Sequence, residues 1–183
     1  MDLRIVKTKR AIKQAFLQLR ATTPLENVRI ADICKIATIN KTTFYKHYRD
    51  VFKLTAELET EAVELVMESF SAKDAIFSDP MRFLTELPNA LNANREILYP
   101  LFHDNFDKLS ILLEHQLKHY YASEDRTDEE EILLTFAIGG MLHTLRSLKF
   151  ERDCDDTILV EGLSNILKQL TTLHEKSHSL YTK

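Results

Sequence analysis

Residues 30–48 read IADICKIATINKTTFYKHY. A short helical segment from about Ile30 to Ile36 is followed by a break at Ala37 to Ile39 and a second short segment from Lys41 to Tyr48. Two short helices joined by a tight turn are the signature of a helix-turn-helix unit. Asn40 suits the N-cap of the second helix, because its side chain can accept from the first-turn amides of Thr42 or Thr43, which otherwise have no partner. Ile33, Ile39, Phe44 and Tyr48 have the spacing to point inward against Phe16 and Leu19, which makes them core. Lys41, Thr42, Thr43, Tyr45, Lys46 and His47 are left facing outward.

Working outward, Ile5, Ile12, Ala15, Phe16 and Leu19 predict an amphipathic helix over about 3–21, with Arg4, Lys7, Arg10 and Lys13 on other faces and Pro24 at its exit. Asp50 caps a fourth helix carrying Val51, Leu54, Leu58, Leu65 and Val66, which extends to about Phe70. Beyond Phe77 the reading stays helical: Asp79 and Pro80 in a first turn, Pro88 and Pro100 as kinks or breaks, then a helix from about Phe106 to Tyr121. Thr127 and Glu130 match a capping box opening a helix to about Phe150 that is apolar on nearly every side, and therefore buried. The last helix, about Asp156 to His174, places Leu159, Leu163, Ile166, Leu170 and Leu173 in a coiled-coil-like seam. Gly139 and Gly140 each cost roughly 1 kcal/mol in a helix relative to Ala, so close approach of another backbone is expected there. Together these two helices predict a dimer interface; the alternative is that they pack within one subunit.

Composition agrees. A chain of 183 residues with 44% apolar and 28% charged residues is long enough for a core, and 3 Gly with 4 Pro are too few for the turns of a sandwich or barrel. Two cysteines, Cys34 and Cys154, form no framework pattern, and the absence of an apolar leader or a membrane-length apolar run gives the expectation of a cytoplasmic protein with no membrane partner. The net charge of −4 hides an asymmetry: residues 1–53 hold 12 Lys and Arg against 4 acids, a net +8, which leaves −12 for residues 54–183. The basic end suits a phosphate-bearing partner and the acidic end repels one.

On the quoted stretch, with Asp50 and Leu54 behind it, residues 4–58 resemble the DNA-binding domain of the TetR (tetracycline-repressor) type of transcriptional regulator. The Thr-Phe-Tyr-x-His-Tyr core at 43–48 is the specific part. The Asn94–Phe102 region and the Gly-Gly helix are similar to a C-terminal type common in that family. The resemblance implies an all-α fold of about nine helices, with an N-terminal three-helix head (1–53) on a larger helical domain (54–183) that binds an effector and dimerises. It implies a homodimer on a double-stranded DNA operator, a repressor released by a small-molecule effector, and no enzyme activity. A two-turn helix fits the major groove, its N-terminal residues nearest base edges. Lys41 and Thr42 are then the base readers, Thr43, Tyr45 and His47 hold the DNA backbone, and Lys46, Arg49 and Arg29 add attraction to phosphate. Three positions depart from the family: Thr38 stands in the turn where Gly is usual, Arg29 where a Thr cap is usual, and Val51 where Lys is common, with Lys53 as its substitute. Two heads reach successive major grooves when held roughly 34 to 36 Å apart, so an effector that rocks the fourth helix would misplace them. Phe70, Tyr99, Phe102, His103 and His143 are candidate effector-pocket residues. Some proteins of this type act instead as co-regulators through a protein partner.

No Ser-His-Asp order, nucleophile elbow, phosphate loop or HExxH motif occurs, so nothing nominates catalytic residues or a cofactor. His115 and His119 have the i, i+4 spacing of helical metal sites, with Glu114 beside them, but a third ligand is not evident, and no metal is expected.

Overall fold

The computed structural model describes residues 3–122, 126–151 and 155–181, with side chains described up to residue 148 and from 155 to 172 in the last two stretches. Among the described residues the chain is all helical, without strands: α1 (Leu3–Arg20), α2 (Ile30–Ile36), α3 (Lys41–Tyr45), α4 (Val51–Ser69), α5 (Pro80–Ala93), α6 (Arg95–Phe102), α7 (Phe106–Tyr120), α8 (Asp128–Leu145) and α9 (Asp156–Tyr181). None of these helices is long and apolar enough to cross a membrane. The chain divides into two compact units, one of Met1–Leu65 with Asn94–Leu109 and one of Val66–Ala93 with Ser110–Lys183.

In the first unit α1 packs against α2 and α6, and α2 against α3. The apolar stripe of α1 buries Ile12, Ala15 and Phe16, while Ile33 of α2, Phe44 of α3, Tyr48, and Leu54 and Leu58 of α4 are buried with them. Ile39 and Leu19, expected in the same core, are only half-buried. Leu19 instead lines an open cleft of about 410 Å³ with Asp32, Lys35 and Ile36. α3 closes one turn earlier than the sequence predicts. Its last residues tighten into a turn in which the His47 and Tyr48 amides both donate to the Phe44 carbonyl, at 2.9 and 3.0 Å. Side chains 44 and 48 therefore still share one face.

The turn between α2 and α3 is a Schellman motif. The Ile39 amide donates to the Cys34 carbonyl at 3.0 Å and the Thr38 amide to the Lys35 carbonyl at 3.4 Å. That geometry puts Thr38 at φ 55°, in the left-handed region that glycine occupies without strain.

In the second unit α5 and α8 each pack against α9. Phe70 meets Phe83 edge to face, with centroids 4.9 Å apart. The Tyr121 hydroxyl donates to the Lys73 carbonyl at 2.6 Å and accepts from the Ile76 amide at 3.3 Å, closing the turn after α4, and burial pushes that phenol up to about 12. α8 opens with the expected capping box, Thr127 and Glu130 satisfying each other's backbone amides. It is not buried all round: Leu134, Ala137, Ile138, Met141 and Leu142 turn inward, while Ile132 and Phe136 stay 68% and 63% exposed. A π-helical turn, Arg146–Glu151, ends it. Of the two expectations for Pro88 and Pro100, kink or break, the structure excludes the break, since both lie inside helices, α5 and α6. The break falls between them, at Asn94.

A non-glycine residue in the left-handed region costs about 1–2 kcal/mol, and glycine's extra unfolded-state entropy returns about 0.5–1 of it. The exposed Thr38 side chain loses no core packing on removal. Thr38→Gly should therefore raise the melting temperature by about 1–4 °C in a calorimetric scan. An unchanged or lower value would show that the turn carries no such strain.

Candidate nucleic-acid interface

Five residues of helix have almost no stability of their own, so α3 must be held by its neighbours. Its N-terminus is held locally: the Asn40 carbonyl oxygen Oδ1 accepts from the Thr43 amide at 2.8 Å and from the Thr43 hydroxyl at 2.9 Å. The inward face is anchored by Phe44, fully buried, and by Tyr48 just beyond the helix, their rings 5.9 Å apart. Truncating such a buried ring to Ala costs about 3–5 kcal/mol. With those two side chains fixed, helical periodicity turns Lys41, Thr42, Tyr45 and Lys46 to the outside, and all four are exposed. Tyr45 is 56% exposed and leans edge-on against Phe44, centroids 5.7 Å apart, so its ring direction is set from behind. Arg29, Arg49 and Lys53 are exposed as well, and His47 and Thr43 are half-buried. Because the Thr43 hydroxyl donates to Asn40, its oxygen is left to accept. Arg29 stands at the N-cap of α2 without a side-chain capping bond. Val51, at the start of α4, is buried.

Behind this surface lies a compact charge network. Glu57 Oε1 on α4 accepts from Tyr48 Oη at 3.1 Å, from Lys9 Nζ at 3.1 Å and from Lys13 Nζ at 2.9 Å, and Lys13 also pairs with Glu61. Lys9 sits over the Tyr48 ring, 5.4 Å from its centroid. Partial burial works to raise the Glu57 carboxyl, but the hydrogen bonds from Lys13 and Lys9 outweigh it and hold the group below its ordinary value. Burial and the neighbouring Glu57 together push the Tyr48 phenol up, so it stays a donor. Two lysines of the basic end are thus spent inside the protein. Chemically, the remaining surface is a short helix offering ammonium, hydroxyl and phenol donors on a fixed backing, with the guanidinium groups of Arg29 and Arg49 outside it, a set that suits phosphate oxygens and acceptor groups on base edges.

A crystal structure shares this fold. It is described as a transcriptional regulator of the TerR/AcrR family from Aquifex aeolicus VF5; the match covers 89% of this chain and 99% of that one, with 19% identity and a TM-score of 0.52. No protein-family model matches the sequence, and no curated protein matches it.

The other predicted residues fall as follows. In the first unit Phe102 is buried, whereas Tyr99 is 51% exposed and stacks on His103, centroids 5.0 Å apart, with His103 Nδ1 2.9 Å from the Tyr99 carbonyl oxygen. In the second unit Phe70 is buried and His143 exposed. Of the seam residues, Leu159 and Leu163 are buried within that unit, Ile166 is 53% exposed and Leu170 half-buried; the Leu173 side chain lies outside the described residues, as does Cys154. The space a Cβ would enter at Gly140 is open, and at Gly139 it faces the Glu114 side chain at 3.8 Å. Among the described residues no three His, Cys, Asp or Glu side chains converge as metal ligands. Sequence reasoning passed over Phe52, which is 67% exposed beside Lys53. The signal was available: Val51, Leu54, Thr55 and Leu58 define the buried face of α4, and position 52 lies off it.

Because the folded carboxyl of Glu57 lies below its unfolded value, its contribution is present above about pH 4.5 and is lost as pH falls through the folded value. Glu57→Gln should thus cost about 1 kcal/mol at neutral pH. In thermal unfolding followed by circular dichroism, the gap from the unmodified protein should close in acid. A gap independent of pH would remove the ion pairs from the account.

Proposed function

We propose that this chain is a DNA-binding transcriptional regulator that works as a homodimer, reading an operator with α3 and acting as a ligand-responsive repressor. The observation that carries the reading is the exposure of Lys41, Thr42, Tyr45 and Lys46 on one face of a helix whose opposite face is locked by Phe44 and Tyr48. Lys41 and Thr42, at the N-terminal end, are assigned to base edges. Tyr45 and His47 are assigned to the sugar-phosphate backbone, joined by Thr43 once its hydroxyl turns from Asn40 Oδ1 to donate to a phosphate oxygen, and Lys46, Arg49, Lys53 and Arg29 to phosphate attraction. The likeness in fold to a transcriptional regulator supports the class of function. The effector part rests on the TetR resemblance alone.

Homodimerisation is supported by an outward apolar line on each of two neighbouring helices. On α8 it runs Ile132, Phe136, Gly140, and on α9 Ile158, Gly162, Ile166, at spacings of four. A Cβ at Gly140 or at Gly162 would meet nothing within 4 Å, so both lines are smooth and open to a second backbone. Leu159 and Leu163 back the α9 line from inside.

Duplex binding measured by fluorescence anisotropy should weaken steeply with salt, and Lys46→Ala should lower the slope of log K against log salt by about one. Tyr45→Phe should weaken binding several-fold without changing the melting temperature, since that hydroxyl is exposed. Failure to protect any duplex at low salt, together with retention of a protein partner, would favour the co-regulator reading. For the dimer, Phe136→Arg or Ile166→Glu should give a folded monomer in analytical ultracentrifugation, because a charge on an apolar contact face is left unpaired. An unchanged mass would place the interface elsewhere.

A further inference from the structure

Ile12, Phe16 and Arg20 follow one another at spacings of four on the buried stripe of α1, so a guanidinium occupies a position where an apolar side chain would pack. Arg20 is 1% exposed. Its Nη1 donates to the Thr23 carbonyl at 2.8 Å and its Nη2 to both carboxylate oxygens of Asp104, at 2.9 and 3.0 Å, while Nε is buried without a partner. Asp104 lies between α6 and α7. Four residues on, Lys108 pairs with Glu59 of α4 at 2.7 Å, and Glu59 is itself buried. Segment 94–109 is thus fastened to the rest of the first unit by two ion pairs, one on α1 and one on α4, and α6 also packs on α1. The same segment is joined to the second unit by peptide bonds at both ends.

A buried ion pair adds little stability over an apolar replacement, but one left half-made is costly. We infer that Arg20 is a positioning residue: through Asp104 it fixes segment 94–109 on α1, so that displacing this segment changes how α2 and α3, carried by α1, present themselves to DNA. The inference rests on the DNA-binding reading for its functional half and on the Arg20 geometry for its structural half.

The two halves are tested on the full-length protein with Arg20→Met, Asp104→Asn and the double variant, using a duplex selected from a random-sequence pool and a scrambled control. Both single variants should speed amide hydrogen exchange at residues 98–102 by about tenfold or more and weaken the selected duplex by about tenfold. The salt slope should stay as in the unmodified protein, because no phosphate contact has been removed. The double variant should be no weaker than Arg20→Met alone, the mark of a shared contact. If Arg20→Met does not fold, Asp104→Asn, at a partly exposed site where the amide oxygen still accepts, carries the test. Unchanged exchange at 98–102 overturns the pinning, and unchanged duplex affinity with faster exchange overturns its link to DNA. Binding of no duplex by the unmodified protein overturns the DNA reading and the functional half together, and exchange then decides the pinning alone.

Discussion

The proposed reading surface depends on one constraint: a helix of five residues cannot hold its shape unless the residues around it do so. α3 meets that constraint three times over. Asn40 satisfies its first-turn amide, Phe44 and Tyr48 bury its inner face, and the preceding turn, forced through a left-handed Thr38, fixes its angle to α2. Each device acts on the backbone or on the hidden face, and none uses a side chain of the outer face other than Thr43. Separation of roles along so short a piece of chain leaves Lys41, Thr42, Tyr45 and Lys46 free to vary in chemistry without loss of shape.

The charge of the amino-terminal end divides in the same way. A net of +8 over residues 1–53 looks like one basic patch in the sequence, but the structure sorts it by depth. Arg20 is swallowed by the core, Lys9 and Lys13 are drawn onto Glu57 and Glu61, and Arg29, Lys41, Lys46, Arg49 and Lys53 remain outside. Glu57 and Glu61 belong to α4, so acids from the carboxyl-terminal side of residue 53 neutralise the rear of the head while its front stays basic. A count of charge by segment cannot show this, because the partners are 48 residues apart. The consequence is mechanical as well as electrostatic: Tyr48, the residue that anchors the far end of the α3 turn, donates to the same carboxylate that ties α1 to α4.

Legibility in the sequence followed the range of the interactions. Local chemistry is readable: the Asn40 cap and the Thr127–Glu130 capping box each depend on residues three positions apart, and each is present, whereas Thr38 is marked only by the family resemblance, through the glycine usual in that turn. The outward set on α3 follows from periodicity with Phe44 and Tyr48 as core. What escaped were facts set by distant parts of the chain. Nothing near Arg20 in the sequence marks its partner, Asp104, which lies 84 residues away. The grouping of residues 94–109 with the amino-terminal helices had no local signal either. Phe52 escaped because an aromatic residue next to a buried valine reads as core unless the phase of the helix is followed residue by residue.

The two carboxyl-terminal helices show why phase matters more than composition. Along α9 the positions 159, 163 and 167 are buried inside the second unit, while 158, 162 and 166, one residue earlier, face out; both sets contain apolar residues at a spacing of four. A leucine seam therefore cannot say by itself whether it closes a subunit or joins two. The glycines help to separate the cases. Inside a packed core a missing side chain leaves a void, whereas Gly140 and Gly162 lie on the outer lines, where nothing fills the space within 4 Å. A helix that gives up roughly 1 kcal/mol of propensity at an exposed position gains nothing from its own subunit in return. Close approach of a second backbone would offset that loss, and Ile132, Phe136, Ile158 and Ile166 on either side supply the apolar surface such a contact would bury.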